Sequence, residues 1–304
     1  MRAAQTGDAA AFASLYDAHA PRVFALCAGL TGDRVAAVEL TEVHEVGDLR
    51  AVAELFDTVW GGSPDGPPVP ADLLCSLVHA GGAVTVARTS GGASDGVLLG
   101  AAVAVRAQPG TAYSLIAATR PGGSDQGLGY ALKQRQRTWA LAHDLHTLTW
   151  TFDPLVGRNA RFNLTKLGAE ATAYVKNFYG AMGDAINAGD ESDRLVATWR
   201  LDSPRAVACA DGHSGEVIEP DLAAVEVLAL APDGGPLLVG GGSTRWLRVP
   251  VDMVALRRAD AVAGAAWRKA VRSTLEPALS DGWRATGVTR SSWYCLEQES
   301  EESP

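Results

Sequence analysis

Two glycines, Gly127 and Gly129, stand where a strand-like run ending near Thr119 gives way to a long helical pattern. Glycines at a helix start leave the first N–H groups, those of residues 126 to 130, bare and facing outward. They also remove the Cβ atoms that would keep an anion away. The helix dipole adds to this, so the spacing predicts an anion site suited to a phosphate. A tight turn without a ligand accounts for the same glycines, and both readings stay open on spacing alone. Groups able to move a proton follow at Asp153, Tyr174 and Tyr179, and Arg161 can grip a carboxylate through two parallel N–H bonds. Each has a plainer reading. Asp153 precedes Pro154 and forms turns well, the two tyrosines fall on opposite faces of one strand pattern, and Arg161 suits a solvated helix face. His143 and His146 lack a carboxylate or thiol partner in the sequence, and Cys27, Cys75, Cys209 and Cys295 form no CxxC pair. No metal is therefore expected, the histidines are assigned to a helix C-terminus, and the cysteines are read as buried thiols.

These residues need elements to hold them. Strand patterns rich in Val, Leu, Ile, Thr and aromatics run at about 38–43, 83–89, 96–106, 112–118, 147–152, 169–178 and 194–200. Between them, helical spacing covers about 48–60, 70–79, 128–145 and 159–167, the last closed by Gly168. This alternation predicts a mixed α/β sheet with helices on its faces. Around Asp202-Ser203-Pro204 the pattern breaks. A further segment then shows strand patterns at about 223–230, 245–250, 283–288 and 292–296, and a helix that starts after Asp260 as N-cap, with Pro277 disturbing its last turn near Leu279.

Composition narrows the function classes. A 304-residue chain with 47% hydrophobic content fills one or two domains. A net charge of −9 argues against nucleic acid as a partner, because phosphate contacts need clustered Lys and Arg. Apolar runs such as Val97 to Val105 fall far short of the roughly 20 residues that span a bilayer. With no secretory signal in view, a cytoplasmic protein is expected.

The stretch Ser114 to Lys133, a strand, Pro121, a glycine-rich turn and Gly127-Leu-Gly-Tyr-Ala-Leu-Lys133, resembles the acetyl-CoA-binding motif of the GNAT superfamily of acyltransferases. The order of elements resembles that fold as well, a mostly antiparallel central sheet flanked by helices. The resemblance places Ala118, Thr119 and Arg120 along the pantetheine of an acyl-CoA, and Gln126, Gly127, Leu128, Gly129 and Tyr130 around its pyrophosphate. It departs at Ser124, where the family carries Gln or Arg, and at Gln126, where it often carries Arg, with the anionic Asp125 between them, so Arg120 or Lys133 is left to supply charge. A second match, Gly157 to Gly168, resembles the helix over the coenzyme's thiol end and assigns Asn159 and Phe162 to the coenzyme. There the family often places a tyrosine that protonates the leaving thiolate, and this chain has Leu164.

The runs Trp150 to Leu155, Arg158 to Leu164 and Tyr174 to Gly180, with Arg248 to Leu256 and Gly282 to Gly287 further on, resemble a bacterial subgroup that includes amino-acid N-succinyltransferases. The implied reaction is direct transfer of an acetyl or succinyl group from acyl-CoA to the amine of a small molecule, an amino acid in the first instance. Asp153 and Tyr179 are then the catalytic candidates, and Arg161 and Tyr174 bind the substrate. Residues 1–34, with Gly7 to Cys27 as the core of the match, resemble the opening helices of an extracytoplasmic-function sigma factor. The expected domains are therefore a helical extension over 1–35, an acyltransferase domain over 36–201, and an α/β segment over 205–304 with an unpacked acidic tail from 297. The last segment is read as a degenerate second half or as an element that pairs subunits in a homodimer. The alternative function is a catalytically weak GNAT-fold binding or regulatory protein, associated with polymerase through its N-terminal segment.

Overall fold

The structure is a computed structural model that describes residues 38–60, 67–89, 96–121, 127–180 and 191–298. The sigma-factor-like segment, Ser124 to Gln126 and all but the first two residues of the acidic tail lie outside the described residues. The chain divides into two compact units, the first ending at Leu148 and the second beginning at Thr149. That division falls inside a strand, whereas the break at Asp202-Ser203-Pro204 introduces a short helix within the second unit.

In the first unit Leu49, Val52 and Phe56 recur at helical spacing and form the buried stripe of α1 (Val46–Trp60). With Leu74 of α2 (Ala71–His79) they pack on Val84 and Val86 of β2 (Ala83–Thr89) and Val103 of β3 (Leu98–Arg106). The alternate residues Ala87 and Ala102 face the other way, onto Leu128 and Leu132 of α3 (Leu128–Leu141). The period of two along each strand thus places α1 and α2 on one face and α3 on the other. The sheet is an antiparallel meander in which β1 (Val38–Glu42) pairs with β2, β2 with β3, and β3 with β4 (Thr111–Thr119).

The second unit begins within β5 (Thr147–Phe152). There follow α4 (Gly157–Arg161), a π-helical turn over Phe162–Lys166, β6 (Glu170–Val175), β7 (Arg194–Arg200) and α5 (Pro204–Ala210). The chain then forms β8 (Glu226–Leu230), β9 (Pro236–Gly241), β10 (Thr244–Arg248), α6 (Met253–Ala259), α7 (Ala261–Ser280), β11 (Trp283–Val288) and β12 (Trp293–Gln298). Strand order is β5-β7-β6-β11-β12-β10-β9-β8. β6 pairs antiparallel with β7, and Ala171 of β6 pairs with Ala285 of β11. The C-terminal segment therefore continues the sheet that carries β6 and β7. Both units together give the mixed, mostly antiparallel α/β architecture expected from the sequence.

Two features differ from the sequence expectations. β6 stops at Val175, so Tyr179 sits in the turn that follows and the strand-face argument about it does not apply. β12 extends through Glu297 and Gln298, pairing Glu297 with Thr244. α7 runs to Ser280 with Pro277 in its last turn, within one residue of the expected end. Asp260 does cap α7, its carboxylate accepting from Ala263 N–H at 2.9 Å. No helix among the described residues is long and apolar enough to cross a membrane.

Candidate active site

The predicted anion site begins on β4. Its pairing with β3 runs regularly from Gly100 opposite Thr119 to Val103 opposite Ile116, then skips to Ala104 opposite Ser114. Leu115 is the extra residue of a β-bulge and is exposed. A bulge bends its strand and frees backbone groups from the ladder, and such bulges concentrate next to binding sites. At the strand's end Arg120 is tied back to β3, its N–H donating to Leu99 O at 2.8 Å and its Nε to Leu98 O at 3.1 Å. Ala118 is buried in the first core, and Thr119 is half-buried.

Gly127 then opens α3 in the left-handed conformation, with φ 76°. A side chain there would be strained, which is the physical reason for glycine. Among the described residues no side chain caps the helix, and no acidic residue lies in its first turn. Gly127 is exposed, and Gly129 and Tyr130 are half-buried, while Leu128 anchors the turn from beneath. The turn thus offers exposed backbone with a favourable dipole, as a bound phosphate requires.

Lys133 does not serve that turn. It points inward, with its Nζ donating to Ser114 Oγ at 2.8 Å, and Ser114 Oγ in turn donates to Gln136 Oε1 at 2.9 Å. Burial disfavours its ammonium and brings its pKa down to about 7. Arg120, tied to β3 but exposed, is the remaining cation of the two expected there.

In the second unit Asp153 is placed as a structural anion and not as a base. Arg268 grips it in bidentate fashion at 2.9 and 3.0 Å, Arg257 adds a contact at 3.0 Å, and Leu155 N–H donates at 2.9 Å. Burial alone would raise its pKa. The two guanidinium groups and the hydrogen bonds outweigh burial and hold the carboxyl below its usual range. A carboxylate so held has little affinity for a substrate proton. Tyr294 completes this buried corner by donating to Pro154 O at 2.7 Å.

Tyr174 joins a similar network. Its hydroxyl donates to Asp193 Oδ2 at 2.5 Å, and Arg272 donates to both oxygens of that carboxylate at 2.7 and 2.8 Å. Burial and the neighbouring Asp193 carboxylate push the phenol well above its ordinary pKa. Tyr174 is therefore committed to holding β6 against α7 and has no free hydroxyl proton for a substrate. Tyr179 is different. It is 52% exposed, Ser192 Oγ accepts from its backbone N–H at 2.9 Å, and the Arg194 guanidinium lies 5.1 Å from its ring centroid. Among the described residues its hydroxyl makes one long contact, 3.5 Å, to Thr151 Oγ1.

The α4 segment places Asn159 on an exposed position, where it accepts a 3.5 Å contact from Asn163 Nδ2, and leaves Phe162 half-buried. Leu164 is fully buried, and its carbonyl accepts from Arg205 at 3.0 Å. The position that carries a proton donor in the resembled family is here part of the core. Arg161 lines a cavity of about 560 Å³ together with Arg158, Lys166 and Arg290. Among the described residues no cluster of three or more His, Cys, Asp or Glu could hold a metal ion, and His143 Nδ1 lies 2.8 Å from Trp139 O at the end of α3.

The residues that fix Asp153 and Asp193, namely Arg257, Arg268 and Arg272, were not visible as site residues in the sequence. They lie 79 to 115 positions from their partners, and nothing local in α6 or α7 marks them.

No protein-family model matches the chain, and no curated protein sequence does. Several solved structures are similar over about half of it. An IAA acetyltransferase from Bacillus cereus is 15% identical over 54% of this chain and 100% of its own, with a TM-score of 0.42. An N-acetyltransferase from Staphylococcus aureus is 16% identical over 54% of this chain and 99% of its own, with a TM-score of 0.43. A GNAT superfamily phosphinothricin acetyltransferase from Sinorhizobium meliloti, solved in complex with AcCoA, is 17% identical over 53% of this chain and 86% of its own, with a TM-score of 0.43.

Proposed function

We propose that the chain is an acyl-CoA-dependent N-acyltransferase of the GNAT type, with a small amine, an amino acid in the first instance, as acceptor. One feature carries the reading, the β4–turn–α3 unit, in which a bulge at Leu115 precedes a helix opened by left-handed Gly127. The backbone of Gly127, Leu128, Gly129 and Tyr130 would hold the pyrophosphate, and Ala118, Thr119 and Arg120 would lie along the pantetheine. Asn159 and Phe162 remain assigned to the coenzyme by resemblance. When bound, the coenzyme supplies an acetyl or succinyl group activated as a thioester.

The residues of this chain then have limited proton chemistry to do. An amine attacks only when neutral, and the departing thiol has a reference pKa of about 8.5, so it leaves tolerably without a strong acid. Asp153 is too firmly ion-paired to be the base. We assign the proton-passing role to Tyr179, supported by its exposed position and loosely held hydroxyl, and the gripping of a substrate carboxylate to Arg161. The second reading, a binding protein that retains the fold without turnover, draws support from the buried Leu164 in place of an acid.

A melting experiment with acetyl-CoA and succinyl-CoA tests the first reading. Ligand at about 100 times its dissociation constant stabilises the folded state by about 2.7 kcal/mol, enough to raise the midpoint visibly. An unchanged midpoint with either thioester would sink the acyltransferase assignment. A raised midpoint without thiol release, across a panel of amino acids and polyamines, would favour the binding protein.

A further inference from the structure

The cavity beside α4 holds more positive charge than gripping one carboxylate requires. Its lining brings Arg158, Arg161, Lys166 and Arg290 together against a single carboxylate, Glu216. The excess of cations is local, because the chain as a whole carries a net charge of −9. Arg158 and Arg161 stand three apart on one helix and so share a face, which concentrates their charge at the same wall. Arg161 is half-buried, and its Nε has no hydrogen-bond partner among the described residues. A buried donor left unmade is costly, and an anionic oxygen within the cavity would satisfy it.

The opposite wall is a strap around residues 214–219. Val217 fixes it, with a methyl occupying the notch over Gly287, where a Cβ would come within 2.3 Å of Val217 Cγ2. Glu219 bonds the hydroxyl and backbone N–H of Ser291. By contrast the Glu216–Arg290 pair, 2.7 Å apart, is exposed on both sides, 73% and 79%. An exposed pair of this kind is weakly coupled and open to exchange. The strap is therefore anchored next to the cavity, while the one carboxylate offered to its cations is loosely held. A second cavity of about 230 Å³ shares Arg161, Glu216 and Arg290 and extends the space along the strap.

We propose that this cavity is a binding site for a small molecule bearing two or more anionic oxygen groups, carboxylate or phosphate, with Arg161 at its floor and Arg290 exchanging Glu216 for the ligand. The proposal extends the Arg161 assignment made above and does not depend on the coenzyme.

The test is calorimetric titration of the full chain, without coenzyme, with citrate and with pyrophosphate at matched ionic strength, since salt alone screens such contacts. Saturable one-site binding is expected, weakened at least about tenfold in Arg161→Gln, the loss typical of a charge-assisted bond. Arg290→Gln, a mostly exposed substitution that leaves folding intact, should weaken it as well. Tighter binding of citrate identifies a carboxylate ligand, and tighter binding of pyrophosphate a phosphate ligand. No saturable binding of either anion, or wild-type affinity in either variant, would overturn the proposal. Melting of Arg290→Gln with acetyl-CoA separates the two claims. That variant should respond to the coenzyme as the wild type does, so a failed anion site and a failed coenzyme site give different results.

Discussion

Replacing Lys133 by Met should stabilise the protein. Lys133 is 6% exposed on the inner face of α3, and its pKa falls from 10.5 to about 7 through burial. The unfolded chain therefore binds its proton more tightly than the folded one. At about pH 7 this difference costs the folded state about 4 kcal/mol. Met keeps the length and apolar stem but forfeits the hydrogen bond to Ser114, worth about 1 kcal/mol. Ser114 keeps Gln136 as a partner, so no hydroxyl is stranded. The net gain is about 3 kcal/mol at about pH 7. The sign of the pH dependence follows from the same linkage. Below the folded pKa the penalty is fully present, and it disappears as pH rises toward the unfolded value, so the advantage of the variant should shrink to nothing near about pH 10. Urea unfolding of both proteins across this range, followed by tryptophan fluorescence, measures it. A variant less stable at neutral pH, or an advantage independent of pH, would refute the inward placement of Lys133.

Three further substitutions probe the second unit. Asp153→Asn should destabilise by about 3–5 kcal/mol, because it leaves the buried Arg268 without its counter-ion, and denaturation midpoints would show it. With a lowered carboxyl pKa, Asp153 also contributes stability that is present above its unfolded pKa and lost as pH falls through the folded one, so Asp153→Asn should be less acid-sensitive than the wild type. Leu164→Tyr, which restores the proton donor of the resembled family, should cost about 1–3 kcal/mol by overpacking a fully buried position and should not raise turnover, as a thiol-release assay would record. Tyr179→Phe should lower kcat by about 10²-fold with KM nearly unchanged, as steady-state thiol-release kinetics would show; an unaltered kcat would assign the proton transfer elsewhere.

Much of this architecture was legible because its signals are local. Gly127 marks a left-handed helix start, and the alternation through Val84, Val86 and Ala87 marks a strand with two buried faces. Asp260 declares its helix within three residues. What stayed hidden depends on distance along the chain. β9 begins with Pro236 and ends in two glycines, a composition that reads as loop, and it is a strand because β8 and β10 pair with it. Asp153 reads as a turn former or a base, and only the fold brings Arg268 to it from 115 residues away. Lys133 looks like a cation at the mouth of the glycine turn, yet its place on α3 faces Ser114, so the same residue is an internal, weakly basic amine. The basic cavity was half visible. Arg158, Arg161 and Lys166 cluster in sequence, but the strap at 214–219 lies 56 to 61 positions after Arg158, and Arg290 lies 132 positions after it.

Titration of CoA into the wild-type chain and into Gly127→Val, with the fold of the variant checked by circular dichroism, tests the central claim most directly. Wild type should bind one equivalent. The variant should bind at least about tenfold more weakly, because a β-branched residue strains the left-handed position and pushes the phosphate off the helix start. Absence of binding to the wild type, or equal affinity in a folded variant, would contradict the assignment of the β4–turn–α3 unit as the coenzyme site.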